Sequence, residues 1–475
     1  MIQLRLCFIF WEYGYTIPIN IKRVRIIKNR KLNSYNKSNK ALNAYSLAGI
    51  GIGGIIGSGF FLGSGIAIKE AGPSVVLAFL FGGIITSQVL GAMTSISINR
   101  PVTGSYRVYT EQFLGKFAGY LLGWVIYISG ILGTASEAIA ASIFLKYWFP
   151  NLSVALLALC VVSLVILVNM LPIKYFSYIE SSMTVINIFV LIAFVIIGIT
   201  FLFSHGIQVK PLPFSKIKNF FPNNVSGLIK SMLIVIFTYS GISTIAMATS
   251  DVKNPSISIP KATVIVTAGV VSLYTLIMFI IVLTVNWSTI NTNSSPLIQS
   301  LNGMNINWAS ATINAIILIA TISVMIGSYY KCNKMIISLS EAREAPSIFK
   351  KKTQKYFYLY AWILTGITTL LVVMLSFLLS AKLFSYLLSA CSYFSFFNWV
   401  VNLIVYIIWL KKRSSEETLT SPLICGKPGA YGTIIVILIL FVMSLQVQDF
   451  RIGFYSAAVI TILISMSYKL KTTYQ

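Results

Sequence analysis

The sequence predicts an all-α membrane protein with 12 transmembrane helices, the first ten forming two five-span repeats of inverted topology. Three observations carry this expectation. Long apolar runs recur along the whole chain, basic residues collect between them, and the first and sixth runs are interrupted by glycine and hydroxyl residues.

Of the 475 residues, 57% are hydrophobic and only 10% are charged, more apolar surface than a soluble domain of this length needs. Runs of about 18 or more apolar residues with few charges read as spanning helices. Twelve are placed, at 46–69, 74–98, 115–147, 153–172, 183–204, 227–250, 262–286, 308–339, 357–379, 383–410, 430–446 and 453–468. The third and eighth are long enough to tilt or to continue beyond the bilayer. With a cytoplasmic N-terminus, most of the 36 Lys and Arg fall on the cytoplasmic side, in keeping with the positive-inside rule. An even number of spans then places both termini in the cytoplasm, for a multi-pass protein of the plasma membrane embedded in its lipid bilayer.

A net charge of +25 invites a nucleic-acid reading, but the basic residues lie between apolar runs rather than on one module, so no nucleic-acid partner is expected. The five cysteines (Cys7, Cys160, Cys332, Cys391 and Cys425) have no paired spacing, and His205 is the sole histidine. Neither a disulfide framework nor a metal site is suggested, and no cofactor is expected. Three regions follow: 1–45, a cytoplasmic N-terminal segment; 46–410, a ten-span core with repeats 46–204 and 227–410; and 411–475, a loop with the last two spans and the C-terminus. In the first region the apolar "LCFIFWEYGY" precedes the basic "IKRVRIIKNRKLNSYNKSNK", the wrong order for a secretory signal. It reads as an interfacial anchor, as a disordered tail or as a start codon placed too early, and no function is assigned to it.

Seven of the fifteen residues in "GIGGIIGSGFFLGSG", Gly51 to Gly65, are glycine. Each costs roughly 1 kcal/mol against alanine in a helix, so their number needs a reason. One reading is an unwound stretch, which hydrocarbon tolerates only where it is buried in protein or lines a cavity. Its exposed amides, followed by a half-helix N-terminus, would favour a carboxylate. The other reading is close helix packing, since Gly53–Gly57 and Gly59–Gly63 have four-residue spacing. The sixth run is thinned in the same way at "FTYSGIST", Phe237 to Thr244. Interruptions five spans apart point to an inverted-repeat transporter with its site at mid-membrane. The hydroxyls there have their own bland reading, donation to carbonyls within the helix.

At these residues the chain resembles the amino acid permeases of the amino acid–polyamine–organocation (APC) superfamily. The resemblance rests on "GGIIGSGFFLGSG", "AGPSVVLAF", "RPVTGSYRVYTEQFLGKFAGYLLGW", "SEAIAASIFLKYWFP" and "SDVKNPSISIPKA", in that order, with "SLSEAREAPSIF" a weaker match. It implies a leucine-transporter-like fold with broken helices 1 and 6, and secondary transport of amino acids by alternating access. It also implies that the amides of Gly57, Ser58 and Gly59 hold the substrate carboxylate. Carbonyls at Ile55, Phe237 and Ser240 would hold the ammonium, with the Phe237 ring covering the substrate and Gly241 and Ser243 completing the helix-six side. Donors at one end of a break and acceptors at the other suit a zwitterion.

Three positions depart from the family pattern: Ser243 and Ala92 stand where glutamates are common, and Asn187 where many members have a lysine. Of the eleven acidic residues, Glu137 is the only one placed well inside a predicted span. An intramembrane carboxylate is by default a functional candidate, here for coupling or proton relay, with a structural hydrogen-bonding role in competition. Asn187 is a neutral oxygen ligand that would suit sodium, so the coupling ion is H+ or Na+, with exchange also open. Ser243 offers no carboxylate to a cationic side chain, which favours neutral amino acids. The alternatives are an amino-acid sensor on a transporter fold, or a polyamine or organic cation transporter, which would need scarce anionic pocket residues. No nucleotide-binding signature or catalytic constellation is present, so no enzyme is expected. Nothing in the sequence specifies an oligomeric state.

Overall fold

Backbone groups in hydrocarbon must pair within their own segment, and the long elements of this chain are accordingly helices. The computed structural model describes residues 42–473 except 103, 172, 208–214, 293, 307–308, 354–356 and 378–382. The expectations for the N-terminal segment fall almost wholly outside the described residues.

The part of the chain before residue 206 runs as α1 (Ala44–Ile55), a π-helical turn (Gly59–Gly63), α2 (Ser64–Ala71) and α3 (Val75–Asn99). Then come α4 (Ser105–Leu114), α5 (Lys116–Leu145), α6 (Val154–Val168) and α7 (Ile173–His205). The part after it holds α8 (Asn224–Tyr239), a 3-10 turn (Ser240–Ile242), α9 (Ser243–Ala248), α10 (Pro255–Thr284) and α11 (Pro296–Gly303). It continues with α12 (Ala309–Glu341), α13 (Leu359–Met374) and α14 (Leu383–Lys412), after which α15 (Gly426–Ser444) and α16 (Gln448–Thr473) close the chain. Among the described residues, 9 helical segments are long and apolar enough to cross a membrane, and α1, α6 and α13 are shorter apolar helices. This is a multi-pass membrane protein.

Burial separates the centre from the rim. The apolar window around α8 and α9 is 89% buried, whereas those of α15 and α16 are 22% buried. Helices enclosed by protein form the middle of the bundle, and α15 and α16 lie at its edge, α16 against α14. There Tyr393 meets Phe441 and Phe454 edge-on, and its hydroxyl lies 2.9 Å from Ser444 Oγ.

Two features differ from the reading of hydropathy alone. First, α7 begins at Ile173, about ten residues before the predicted fifth span at 183. The added turns carry polar residues, which a hydropathy average rejects, yet Glu180, Thr184 and Asn187 recur at helical spacing and are all buried. The expectation that Glu137 alone lies well inside a span is therefore corrected: Glu180, at 0% exposure, sits within α7 where it packs on α1 and α12.

Second, the predicted loop between spans two and three contains α4. Gly104 (φ 86°) supplies the left-handed turn into it, and a β-carbon there would press on Ser338. The turn delivers buried Arg107 to Glu344 (2.8 Å), Glu111 (3.1 Å) and Ser338 Oγ (2.9 Å), tying α4 to the end of α12. Removing one partner of a buried pair strands the other charge, at a cost of about 3–5 kcal/mol. Arg107→Met is expected to lower the unfolding midpoint of the detergent-solubilised protein by several degrees; an unchanged midpoint would show the network to be energetically idle.

Ahead of α1, the Leu42 amide donates to the Asp251 carbonyl (3.1 Å) and the Lys253 amide donates to the Leu42 carbonyl (3.0 Å). This is a short parallel bridge between Leu42 and Val252. Asp251 also accepts from Tyr330 (2.8 Å) and pairs with Lys334 (3.2 Å), both on α12.

Candidate functional site

Helix α1 stops at Ile55 because Ile56 turns extended (φ −80°, ψ 93°). The chain passes through Gly57 and Ser58 before the π-helical turn resumes at Gly59. Across from it, α8 ends at Tyr239 and passes through the tight Ser240–Ile242 turn into α9. The two segments touch at Gly241, where a β-carbon would overlap the Gly54 carbonyl. Only glycine permits that approach.

Most of the candidate residues converge. Ile55, Gly59, Phe237, Ser240, Gly241, Ser243 and Glu137 line one cavity, bounded by α5, α8, α12 and α14. Gly57 and Ser58 stand just behind its wall. A β-carbon on Gly57 would lie 2.6 Å from Val324 Cγ2 and 3.0 Å from Glu137 Oε2. One on Gly59 would lie 2.9 Å from the Phe237 ring. At these two positions the glycines are required sterically as well as exposing backbone. Gly51 and Gly53 are also pressed, against Ile245 and Glu180, while a β-carbon at Gly63 or Gly65 would come no nearer than 3.3 and 3.5 Å.

The polar groups are partly engaged. Glu137, from α5, accepts a hydrogen bond from the Ser58 amide at 2.9 Å, with both residues buried. The Ile55 carbonyl accepts from Tyr274 of α10 at 3.3 Å, and a carbonyl oxygen keeps a second lone pair. Ser240 Oγ donates to the Phe237 carbonyl (2.7 Å) and Ser243 Oγ to the Ser240 carbonyl (3.1 Å). These serines add a side-chain bond to carbonyls that already accept a backbone amide in the tight turn. Asn187 does not line the cavity; it is buried on α7, and neither of its amide atoms has a partner among the described residues. Ala92 is buried on α3.

Two groups were not singled out by the sequence. Glu180 accepts from Ser323 Oγ at 3.1 Å, and Thr184 donates to the Gly49 carbonyl at 3.0 Å, so α7 is pinned to α1 and α12 by polar contacts. Lys331, on α12, lines the cavity, with its ammonium 3.4 Å from Ser243 Oγ. Its signal was its place inside the predicted eighth span, in "SYYKCNK", where a basic residue is costly.

A partly polar cavity beside two such chain interruptions in a multi-pass protein is an arrangement that suits a membrane transporter. The family model for amino acid permeases matches residues 47–474, and the chain belongs to that family. It is 30% identical to the uncharacterised amino acid permease YvbW of Bacillus subtilis (strain 168) over 424 residues, 88% of this chain and 94% of that one. A gamma-aminobutyric acid permease from the same organism is 27% identical, with 90% and 92% covered. Among solved structures, MhsT in complex with L-phenylalanine aligns with a TM-score of 0.60 at 15% identity, over 84% of this chain and 98% of that one. At that identity the likeness speaks for the fold. The chain is thus an amino acid transporter and not an enzyme.

Proposed function

We propose that the chain carries a zwitterionic α-amino acid across the membrane by alternating access. In this reading the twelve predicted spans hold, with spans one and six broken at the site and 46–204 and 227–410 as the inverted repeats. The single observation that carries it is the convergence of residues from both helix interruptions on one cavity. The amides at Gly57, Ser58 and Gly59 form the carboxylate seat at a half-helix N-terminus, the Ser58 amide exchanging its bond to Glu137 for one to the substrate. Carbonyls of Ile55, Phe237 and Ser240 face the ammonium, and the Phe237 ring covers the substrate.

Ser243 argues against a cationic side chain, and Lys331 beside it argues the same way by repulsion. Polyamines and organic cations are disfavoured for that reason. Neutral amino acids satisfy the constraint that Ser243 alone sets. For the driving ion both H+ and Na+ stay in view: Glu137 is the carboxylate suited to a proton, and Asn187 the neutral oxygen ligand suited to sodium.

Purified protein in liposomes loaded with a mixture of unlabelled amino acids is expected to exchange at least one labelled amino acid. Separate sodium and pH gradients then identify the driving ion. Binding without flux, even in exchange, would instead support the sensor reading.

A further inference from the structure

Lys331 is a cation on the wall of a cavity inside the protein, and its surroundings do not neutralise it. Among the described residues no carboxylate lies within ion-pairing distance of its ammonium, and the hydrogen-bond partner in reach is the Ser243 hydroxyl at 3.4 Å. The cavity's carboxylate, Glu137, is engaged instead by the Ser58 amide. The stem is accommodated by Gly130, where a β-carbon would lie 3.5 Å from Lys331 Cε. The ammonium is half-buried on the cavity wall and has no counter-charge, which is unfavourable. A ligand that brings an anion compensates it.

The α-carboxylate of the substrate has its seat elsewhere, at the α1 interruption. Ser243 and Lys331 belong to a different part of the lining, at the start of α9 and on α12. The geometry points to a second anionic subsite: Lys331 and Ser243 receive the side-chain carboxylate of an acidic amino acid, so that the transported class includes dicarboxylic amino acids. This deepens the transport reading given above and rests on it. It also replaces the neutral preference drawn from Ser243 alone, because the serine hydroxyl can turn from the Ser240 carbonyl to donate to the same carboxylate. Discrimination follows from buried pairing: an acidic side chain satisfies the ammonium, a neutral one leaves it bare, and a cationic one repels it.

The test uses the full-length protein in liposomes, exchanging labelled glutamate, aspartate, glutamine and leucine. Wild type is expected to exchange glutamate or aspartate in preference to glutamine and leucine. Lys331→Met is expected to weaken glutamate or aspartate by at least about tenfold while leaving glutamine within about threefold, and Lys331→Arg to restore the acidic substrate. Exchange of neutral amino acids by wild type, with no competition from glutamate or aspartate, overturns the subsite and leaves the transport reading standing. An equal loss of all substrates in Lys331→Met overturns it too, by making the lysine structural. Absence of exchange or binding for every amino acid overturns the transport reading itself. Should Lys331→Met fail to insert, the wild-type competition profile decides alone.

Discussion

Gly241→Ala is expected to abolish amino acid exchange and to lower the unfolding midpoint sharply. The added β-carbon would occupy the space of the Gly54 carbonyl oxygen and crowd Ile55 Cα, so the collision is with backbone and not with a side chain that can swing away. Overpacking of a core ordinarily costs about 1–3 kcal/mol, where side chains can yield. Here the relief is to push the turn after α8 away from α1, which separates the two chain interruptions that share the cavity. Function is therefore lost even in protein that survives purification. Gly269→Ala is the matching control, since a β-carbon there meets nothing within 4 Å. Wild-type exchange by the Gly241 variant would show that the two segments are not in contact.

Glu137→Leu is expected to be nearly as damaging, and Glu137→Gln much less so. The carboxylate accepts the Ser58 amide in a buried setting. Leucine leaves that amide unpaired, a penalty of about 1–3 kcal/mol, and places bulk beside Gly57. Glutamine keeps an oxygen at the same position. If Glu137 serves only to hold the Ser58 turn, the glutamine variant should exchange substrate and accumulate it against a gradient like wild type. If its proton is part of the driving reaction, the glutamine variant should exchange normally yet fail to accumulate under a pH gradient. Exchange and accumulation measured on one preparation separate these roles, because a loss of fold would remove both.

Much of this site was legible in the sequence for a specific reason. Glycine and hydroxyl residues in an apolar run are expensive unless they do something, and the two places where they cluster, Gly51–Gly65 and Phe237–Thr244, both contribute to the cavity wall, which α5, α12 and α14 complete. The bland reading meets direct contacts: Ser240 and Ser243 donate to nearby carbonyls, and Gly57 and Gly59 are closely packed. What escaped is what an average over a window erases. Glu180 was assigned to a loop because its neighbours are polar, although its spacing to Thr184 puts both on one buried helical face. Lys331 lies inside the predicted eighth span with no local pattern to say which way it faces, and the packing of α12 against α5 places it on the cavity wall. The contact of Tyr274 with the Ile55 carbonyl joins residues 219 apart, and no local pattern encodes it.

The bridge between Leu42 and Val252 carries a mechanical consequence. It fastens the approach to α1 onto the strand of chain leaving α9, through two main-chain hydrogen bonds that only a proline substitution removes directly. Asp251 extends the fastening to Tyr330 and Lys334 of α12. The outer ends of the two interrupted helices are thereby yoked: they cannot part on this side without undoing the bridge, and whatever displaces one drags the other with it. In this structure the two segments are joined into one unit on this side. Leu42→Pro, which removes one of the two donors, would uncouple the pair while leaving every residue of the cavity in place.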